Sequence, residues 1–478
     1  MSLWTAAEIA AATQGRTSAD FAVEGVAFDS REVGPGDLFV ALTGETTDGH
    51  RFLDQAFTQG AAGALVSRVI NHPTVEVADT FAALEDLGRA ARARVKGKVI
   101  GVTGSVGKTS TKEALFAALD RSPSVSAHRS VKSYNNHTGV PLSLARMPQG
   151  SDFAVLEMGM NHPGELAHLT TLVRPHVALI TAIAPAHTEF FPHEAAIADA
   201  KGEIFRGLEP GGVAIVPHDS PHRDRLIAAA EPYAARIVTF GLDRAADVHA
   251  IEMARASHGG TFVTARVGEH ELSLTVAQAG AHWVSNALAV LAAVDAVGGD
   301  LALAGLALAE LGGLAGRGAR SEIAVGDGHA LLIDESYNAN PASVAATLAV
   351  LAEQPGRHVA VLGEMRELGD KSADYHAGLA PAVIAARVEL AVLVGEAMGA
   401  LAQALEGRVD FVHVPDAAAA LDHVTRVIAP GDAVPGSPII NTVSRTPSAR
   451  SPSSRRAPSA ISRRRAAGGA SAAAGAGA

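Results

Sequence analysis

Lys98-Val99-Ile100-Gly101-Val102-Thr103 runs directly into Gly104-Ser105-Val106-Gly107-Lys108-Thr109-Ser110. The first six residues are a short apolar run of the kind that forms a buried parallel strand. The stretch from Lys108 to Leu119 reads as a helix, so the glycines fall in a strand-to-helix turn. Glycines at such a turn let backbone N–H groups approach phosphate oxygens, and the helix N-terminus favours their negative charge. Lys108 is placed to neutralise β- and γ-phosphate charge, and the Thr109 hydroxyl to hold Mg²⁺. The spacing is a variant, because the full phosphate-loop pattern has glycine where this chain has Val102. An ordinary glycine-rich βα turn is the competing reading, and strand, glycines, lysine, threonine and helix occurring together disfavour it.

The pattern continues outward. Val99 to Val102, Phe153 to Leu156, Val177 to Ile183 and Val213 to Val216 read as strands, with helices from Lys108, Pro163 and Glu194 between them. That alternation implies a doubly wound α/β domain over about 96–315. A second α/β unit follows over 316–434. Ala330 to Ile333, His358 to Leu362, Leu390 to Val394 and Phe411 to Val414 are its strands, with helices from Pro341, Ser372 and Asp416. Residues 1–95 mix short strands such as Leu38 to Leu42 with glycine-rich turns and form a third block. From Pro435 the chain turns Ser/Arg/Pro-rich and then Ala/Gly-rich. Such a composition offers little apolar surface to bury, so 435–478 is expected to be a disordered tail.

At 478 residues the chain is too long for one hydrophobic core, which agrees with three domains. A net charge of −11 argues against a general nucleic-acid binder, which needs a basic face. The absence of cysteine excludes disulfides, thiolate metal sites and thiol catalysis. The start, Met1-Ser2-Leu3-Trp4-Thr5, lacks the basic and apolar regions of a signal peptide, and no apolar run reaches the length of a membrane helix. A soluble, cytoplasmic protein without membrane insertion is the expectation, with a monomer as the default state.

Several further strings resemble one family, the Mur ligases. Asp29-Ser30-Arg31, Gly36-Asp37-Leu38-Phe39-Val40-Ala41 and Asp48-Gly49-His50 resemble its N-terminal domain, which takes UDP-linked muropeptides. Tyr134-Asn135-Asn136-His137-Thr138-Gly139, Leu156-Glu157-Met158-Gly159, Ala186-His187, Lys201-Gly202-Glu203-Ile204-Phe205 and His282-Trp283-Val284-Ser285-Asn286 look like its central domain. Gly316-Arg317-Gly318, Asp334-Glu335-Ser336-Tyr337-Asn338-Ala339-Asn340-Pro341 and Leu362-Gly363-Glu364-Met365-Arg366-Glu367 resemble its third, Rossmann-like domain. The likeness covers about residues 20–434 and points to the branch that joins D-alanyl-D-alanine to UDP-MurNAc-tripeptide at the expense of ATP, through an acyl phosphate, in peptidoglycan precursor synthesis.

The resemblance implies a set of roles. Glu157 would bind Mg²⁺ with Thr109, His187 would help hold a second Mg²⁺, and Lys201 would be carbamylated into an anionic metal-binding group. His282 and Asn286, one helical turn apart, would lie beside the adenine. Arg317 would swing onto phosphate, and Asp334 would take the ribose at its strand end. Asn135, Asn136, Tyr337, Asn338 and Asn340 would meet the substrates, as would Ser30, Arg31, Asp48 and His50 on the UDP-muropeptide. Plainer alternatives stand beside these roles: strand-end charge for Glu157, a solvated loop histidine for His187, surface lysine for Lys201, a helix-cap network for His282 and Asn286, an interdomain hinge for Arg317, a turn for Asn135 and Asn136, a turn capping the Pro341 helix for Tyr337, Asn338 and Asn340, and turn stabilisation for Ser30, Arg31, Asp48 and His50. Glu367 and His376 also match third-domain positions, without an assignable role.

Two departures stand out. Thr138 occupies a position where the family often has Trp. After Gly431-Asp432-Ala433-Val434 the family continues with an apolar strand, a turn and a final helix, whereas this chain continues Pro435-Gly436-Ser437-Pro438. The expectation is therefore that the last strand and helix are missing and that the third sheet keeps an unpaired edge. Another Mur-type amide ligase, a folylpolyglutamate synthase, and a nucleotide-binding homologue without catalysis are the rival readings.

Overall fold

The computed structural model describes residues 2–436 except for 45, 257 and 258. Three large sheets organise them, beside a two-stranded pairing of Trp4–Thr5 with Ala22–Val23. The N-terminal sheet has five strands in the order Arg16–Thr17, Thr74–Glu76, Gly63–Val66, Asp37–Val40 and Gly25–Ala27, parallel except at the first pair. It is tied to the rest by Trp4, whose indole N–H donates to the Ala145 carbonyl at 2.8 Å, and by Arg146, which donates to the Val26 carbonyl at 2.8 Å.

The central sheet has nine strands. Lys98–Thr103 lies between Phe153–Glu157 and Val177–Ile180, parallel to both. Ile100 and Val102 face one apolar cluster with Leu115, while Val99 faces another with Leu156 and Ile180, so the strand is buried on both sides. That explains its unbroken apolar run in place of an alternating one. The strand expected over 177–183 stops at Ile180, and the helix from Glu194 runs to Gly202 before tightening into a 3₁₀ turn over Glu203–Gly207. Three antiparallel strands, Val248–Arg255, Thr261–Val267 and His270–Val276, extend the sheet beyond its parallel part. Helix Ala281–Ala296 is buried over most of its length against this sheet.

The third sheet has the order Ala319–Val325, Gly328–Asp334, Ala433–Gly436, Val359–Gly363, Leu390–Val394 and Asp410–Val414. Here one expectation is corrected. Pro435 and Gly436 belong to a strand, and that strand is interior, paired in parallel from Leu331↔Ala433 to Asp334↔Gly436. The third unit thus extends at least to Gly436, and no edge is left bare where the tail was expected to begin. Proline is tolerated because residue 435 carries no N–H toward the other neighbour: Ala433 donates on that side to the Arg357 carbonyl at 2.8 Å, and pairing with Val359–Gly363 is reduced to Val361↔Gly436 and a His358–Ala433 bridge. The expectation of disorder for the rest of the tail falls on 437–478, outside the described residues.

Candidate active site

The ends of the central strands and the first turns of the third unit enclose a cavity of about 400 Å³. The phosphate loop forms its floor. Gly104 and Gly107 have φ of 151° and 83°, and a Cβ at Gly104 would lie 1.9 Å from Thr181 Oγ1. Glycine is required there by both backbone and space. The loop is braced by Thr181, which donates to the Val106 carbonyl at 2.5 Å, and by Ser105, which donates to the Ala184 carbonyl at 2.9 Å. Lys108 opens the helix and donates to the Gly104 carbonyl at 2.8 Å. Desolvation holds its ammonium below the ordinary lysine range, with Glu157 opposing that shift and Arg317 adding to it.

Glu157 ends its strand at 1% exposure. Thr109 donates to its two oxygens at 2.9 and 3.1 Å, and Asn135 donates to Oε1 at 2.7 Å. No group of three or more His, Asp or Glu that could hold a metal by itself occurs among the described residues. A hydroxyl and a carboxylate nevertheless suit Mg²⁺, which takes one or two protein oxygens and completes its shell with phosphates and water. His187 lies beyond the next strand at φ 58°, and its Nδ1 donates to Glu367 of the third unit. That contact leaves Nε2 as the ring's acceptor. Desolvation pulls the imidazole pKa down, and Glu367 opposes this. Lys201 is buried at 1% exposure, and its pKa falls well below the ordinary lysine value through desolvation first and then Lys108.

The opposite wall comes from helix Ala281–Ala296 and the third unit. His282, Trp283 and Asn286 line it, and Asn286 Oδ1 lies against Gly107. Desolvation lowers the His282 pKa to about 4, so the ring is neutral at pH 7. The Arg317 guanidinium sits 3.9 Å from the centroid of the Tyr337 ring. Asn338 and Asn340 also line the cavity, and Asn340 at the same time caps helix Pro341–Ala352 by accepting the Ser343 N–H at 2.9 Å.

Of the residues singled out from sequence, Ser105, Val106, Gly107, Lys108, Thr109, Ser110, Asn135, Glu157, His187, His282, Asn286, Arg317, Tyr337, Asn338 and Asn340 line this one cavity. Others do not. Asp334 accepts the Gly316 N–H at 2.8 Å and the Ser336 N–H at 3.1 Å, which spends both carboxylate oxygens on bracing the backbone around Arg317. Its neighbour Glu335 lines the cavity instead, with a pKa raised to about 7 by desolvation and by Asp334, against the pull of Arg317. Asn136 closes the turn into helix Gly139–Ala145 by accepting the Gly139 N–H at 3.0 Å. Ser30, Arg31, Asp48 and His50 lie in the N-terminal unit. Ser30 is buried and donates to Gln55 at 3.0 Å, and His50 is held between Asp48 at 2.6 Å and the Ser67 N–H at 3.0 Å. Arg31 alone of these four projects largely into solvent, paired with Asp29 at 2.6 Å. Glu335, Trp283 and Thr181 were missed by sequence reasoning, although Glu335 and Trp283 stand inside strings already quoted.

A family model described as the Mur ligase middle domain matches residues 102–294, the Mur ligase glutamate ligase domain matches 319–435, and the Mur ligase family catalytic domain matches 22–101. The UDP-N-acetylmuramoyl-tripeptide–D-alanyl-D-alanine ligase of Escherichia coli K12 is 38% identical over 389 residues, spanning 81% of this chain and 84% of that one. This chain belongs to the Mur ligase family. The ligase of the same description from Bacillus subtilis is 36% identical over 362 residues, covering 74% of this chain and 76% of its own. Among solved Mur ligase structures, a crystal structure of MurF from Acinetobacter baumannii superposes with a TM-score of 0.80 at 33% identity, covering 92% of this chain and 98% of that one. MurF from Thermotoga maritima in complex with ADP gives 0.73 at 26% identity, covering 87% and 94%. No helix among the described residues is long and apolar enough to cross a membrane.

Proposed function

We propose that this Mur ligase joins D-alanyl-D-alanine to UDP-MurNAc-tripeptide using ATP and Mg²⁺, in the synthesis of peptidoglycan precursors. The observation that carries this reading is the convergence of the phosphate loop, the Thr109–Glu157 pair and the Arg317–Tyr337 pair on one cavity. The relatives named above support the choice of substrates. The units over 1–95, 96–315 and 316–436 serve as muropeptide, ATP and closing domains on this reading.

A carboxylate is a poor acceptor of an amine, and phosphorylation gives it a leaving group. A terminal carboxylate oxygen of the tripeptide attacks the γ-phosphorus, and ADP departs. The D-alanyl-D-alanine amine then attacks the acyl-phosphate carbon and loses a proton, and phosphate leaves with the former carboxylate oxygen. The protein's share is positioning and charge neutralisation. Loop N–H groups and Lys108 hold the phosphates, and Arg317 approaches them from the third unit. Thr109 and Glu157 would hold Mg²⁺, which draws charge from the phosphate oxygens when bound; His187 would offer Nε2 to a second ion. Neutral His282 and Asn286 would meet the adenine edge, and Glu335, which lines the cavity where Asp334 does not, would meet the ribose. Tyr337, Asn338, Asn340 and Asn135 would surround the reacting ends, and the exposed Arg31 would exchange its Asp29 partner for an anionic substrate. The depressed pKa of Lys201 supports carbamylation, because a neutral amine can add to CO₂. A cytoplasmic location follows from substrates linked to UDP.

Phosphate release tests the reading. It should require ATP, UDP-MurNAc-tripeptide and D-alanyl-D-alanine together, each omission reducing it to background. Release that needs only ATP would replace the ligase reading with that of an uncoupled nucleotidase.

A further inference from the structure

Lys112 is one of the largest fully buried side chains of the molecule, one turn beyond Lys108 on the phosphate-loop helix. The chemistry proposed above makes no use of it. A buried ammonium is costly to dehydrate unless its partners compensate, so its partners carry information. Nζ lies 2.9 Å from Glu113 Oε1 and 3.8 Å from Glu157 Oε2, and it donates to the backbone carbonyl of Lys132. Lys132 is at φ 48°, a left-handed conformation that a residue with a side chain adopts only when its surroundings impose it. Three residues on, Asn135 donates to Glu157 Oε1 at 2.7 Å, and between them Ser133 Oγ is 3.4 Å from Thr109 Oγ1. On its outer side the same segment is fixed by Glu32 of the N-terminal unit, which accepts from Lys132 at 2.5 Å and from Tyr134 at 2.9 Å.

We infer that Lys112 is a positioning residue: it fastens the 132–135 segment to the phosphate-loop helix and thereby fixes the Glu157 carboxylate between Asn135 and Thr109. The inference rests on the reading above that Thr109 and Glu157 hold the metal. Without Lys112 the Lys132 carbonyl loses its buried donor, the strained turn relaxes, and Asn135 no longer meets Glu157 squarely. A side chain that only stabilised the helix would change melting temperature and leave metal binding alone.

The test measures Mn²⁺ binding by electron paramagnetic resonance in the presence of ADP, alongside the Mg²⁺ dependence of the full reaction, on the intact chain. Lys112→Met should weaken Mn²⁺ binding about tenfold or more, while the KM for D-alanyl-D-alanine stays within about twofold. Lys112→Arg, which keeps charge and donors, should recover part of the loss. Should Lys112→Met fail to fold, Glu113→Gln loosens the same ammonium from a more accessible position, and about a threefold weakening is expected. Wild-type Mn²⁺ affinity in Lys112→Met, or in Glu113→Gln where Lys112→Met does not fold, overturns the inference. Glu157→Gln separates the two levels: unchanged Mn²⁺ binding there refutes the metal reading itself, whereas loss there with normal binding in Lys112→Met refutes only the role of Lys112.

Discussion

His187 and Glu367 hold each other across the seam between the central and third units, and both have a left-handed backbone, with φ of 58° and 60°. The contact is reinforced on either side, by the Glu189 N–H donating to the Glu367 carbonyl at 3.1 Å and by Thr188 Oγ1 donating to the Leu368 carbonyl at 3.0 Å. A carboxylate that takes the proton of Nδ1 fixes both the orientation of the ring and the nitrogen left free. Removing it should therefore cost function more than stability.

Glu367→Ala is expected to lower kcat/KM about ten- to a hundredfold, with Glu367→Gln intermediate because an amide oxygen still accepts. The neighbouring backbone contacts remain, so melting temperature should change little. Steady-state kinetics with ATP varied, next to thermal denaturation, checks both halves. Wild-type kinetics in Glu367→Ala would mean that the contact only packs the seam.

Lys108→Ala should reduce turnover by at least about a hundredfold and leave the fold intact. Among the described residues its ammonium donates to the Gly104 carbonyl alone, and it lines the cavity. Phosphate release with both substrates present measures the effect, and a near-normal rate in the variant would remove the phosphate loop from the account.

Lys201 gives a chemical prediction. Lys201→Ala should be inactive and should regain part of its activity with short carboxylic acids, which return the missing anion to the cavity left by the side chain. The lysine itself should gain the mass of CO₂ when native mass spectra are taken under bicarbonate. No rescue together with an unmodified mass would show that the buried amine works unmodified.

Glu335 makes stability depend on pH. Its folded pKa of about 7 lies above the ordinary glutamate value of 4.5, so between the two the folded state keeps a proton that the unfolded state has lost. Stability then falls as pH rises across that window and levels off above it. In the ligand-free protein, Glu335→Gln removes this penalty. Its melting temperature should match wild type near pH 4.5 and exceed it by roughly a few degrees at pH 8. A constant difference across that range would show that the carboxyl is charged throughout.

The parts of the fold legible in the sequence were those written in contiguous residues. The phosphate loop needs strand, glycines, lysine and helix in one run, and Glu157 closes an apolar run in the neighbouring strand. The His187–Glu367 contact joins positions 180 residues apart, and no local pattern encodes it. Asp334 and Glu335 are adjacent carboxylates at a strand end, and composition cannot say which faces the cavity; the backbone N–H groups of Gly316 and Ser336 decide it by capturing Asp334. Ser30 and His50 looked available because polar residues in turns usually are, but their partners Gln55 and Ser67 come from elsewhere in the unit. Pro435 argued against a strand, and did so wrongly because the neighbour on its donor-less side already pairs sparsely.

The central claim is that the tripeptide carboxylate is phosphorylated by ATP before the amine arrives, and an oxygen label follows that step directly. UDP-MurNAc-tripeptide carrying ¹⁸O in its terminal carboxylate is incubated with ATP, Mg²⁺, D-alanyl-D-alanine and the protein, and both products are analysed by mass spectrometry. The account predicts one ¹⁸O in each released phosphate from doubly labelled carboxylate, matched in amount by UDP-MurNAc-pentapeptide. Phosphate released without label, or without pentapeptide beside it, would contradict it.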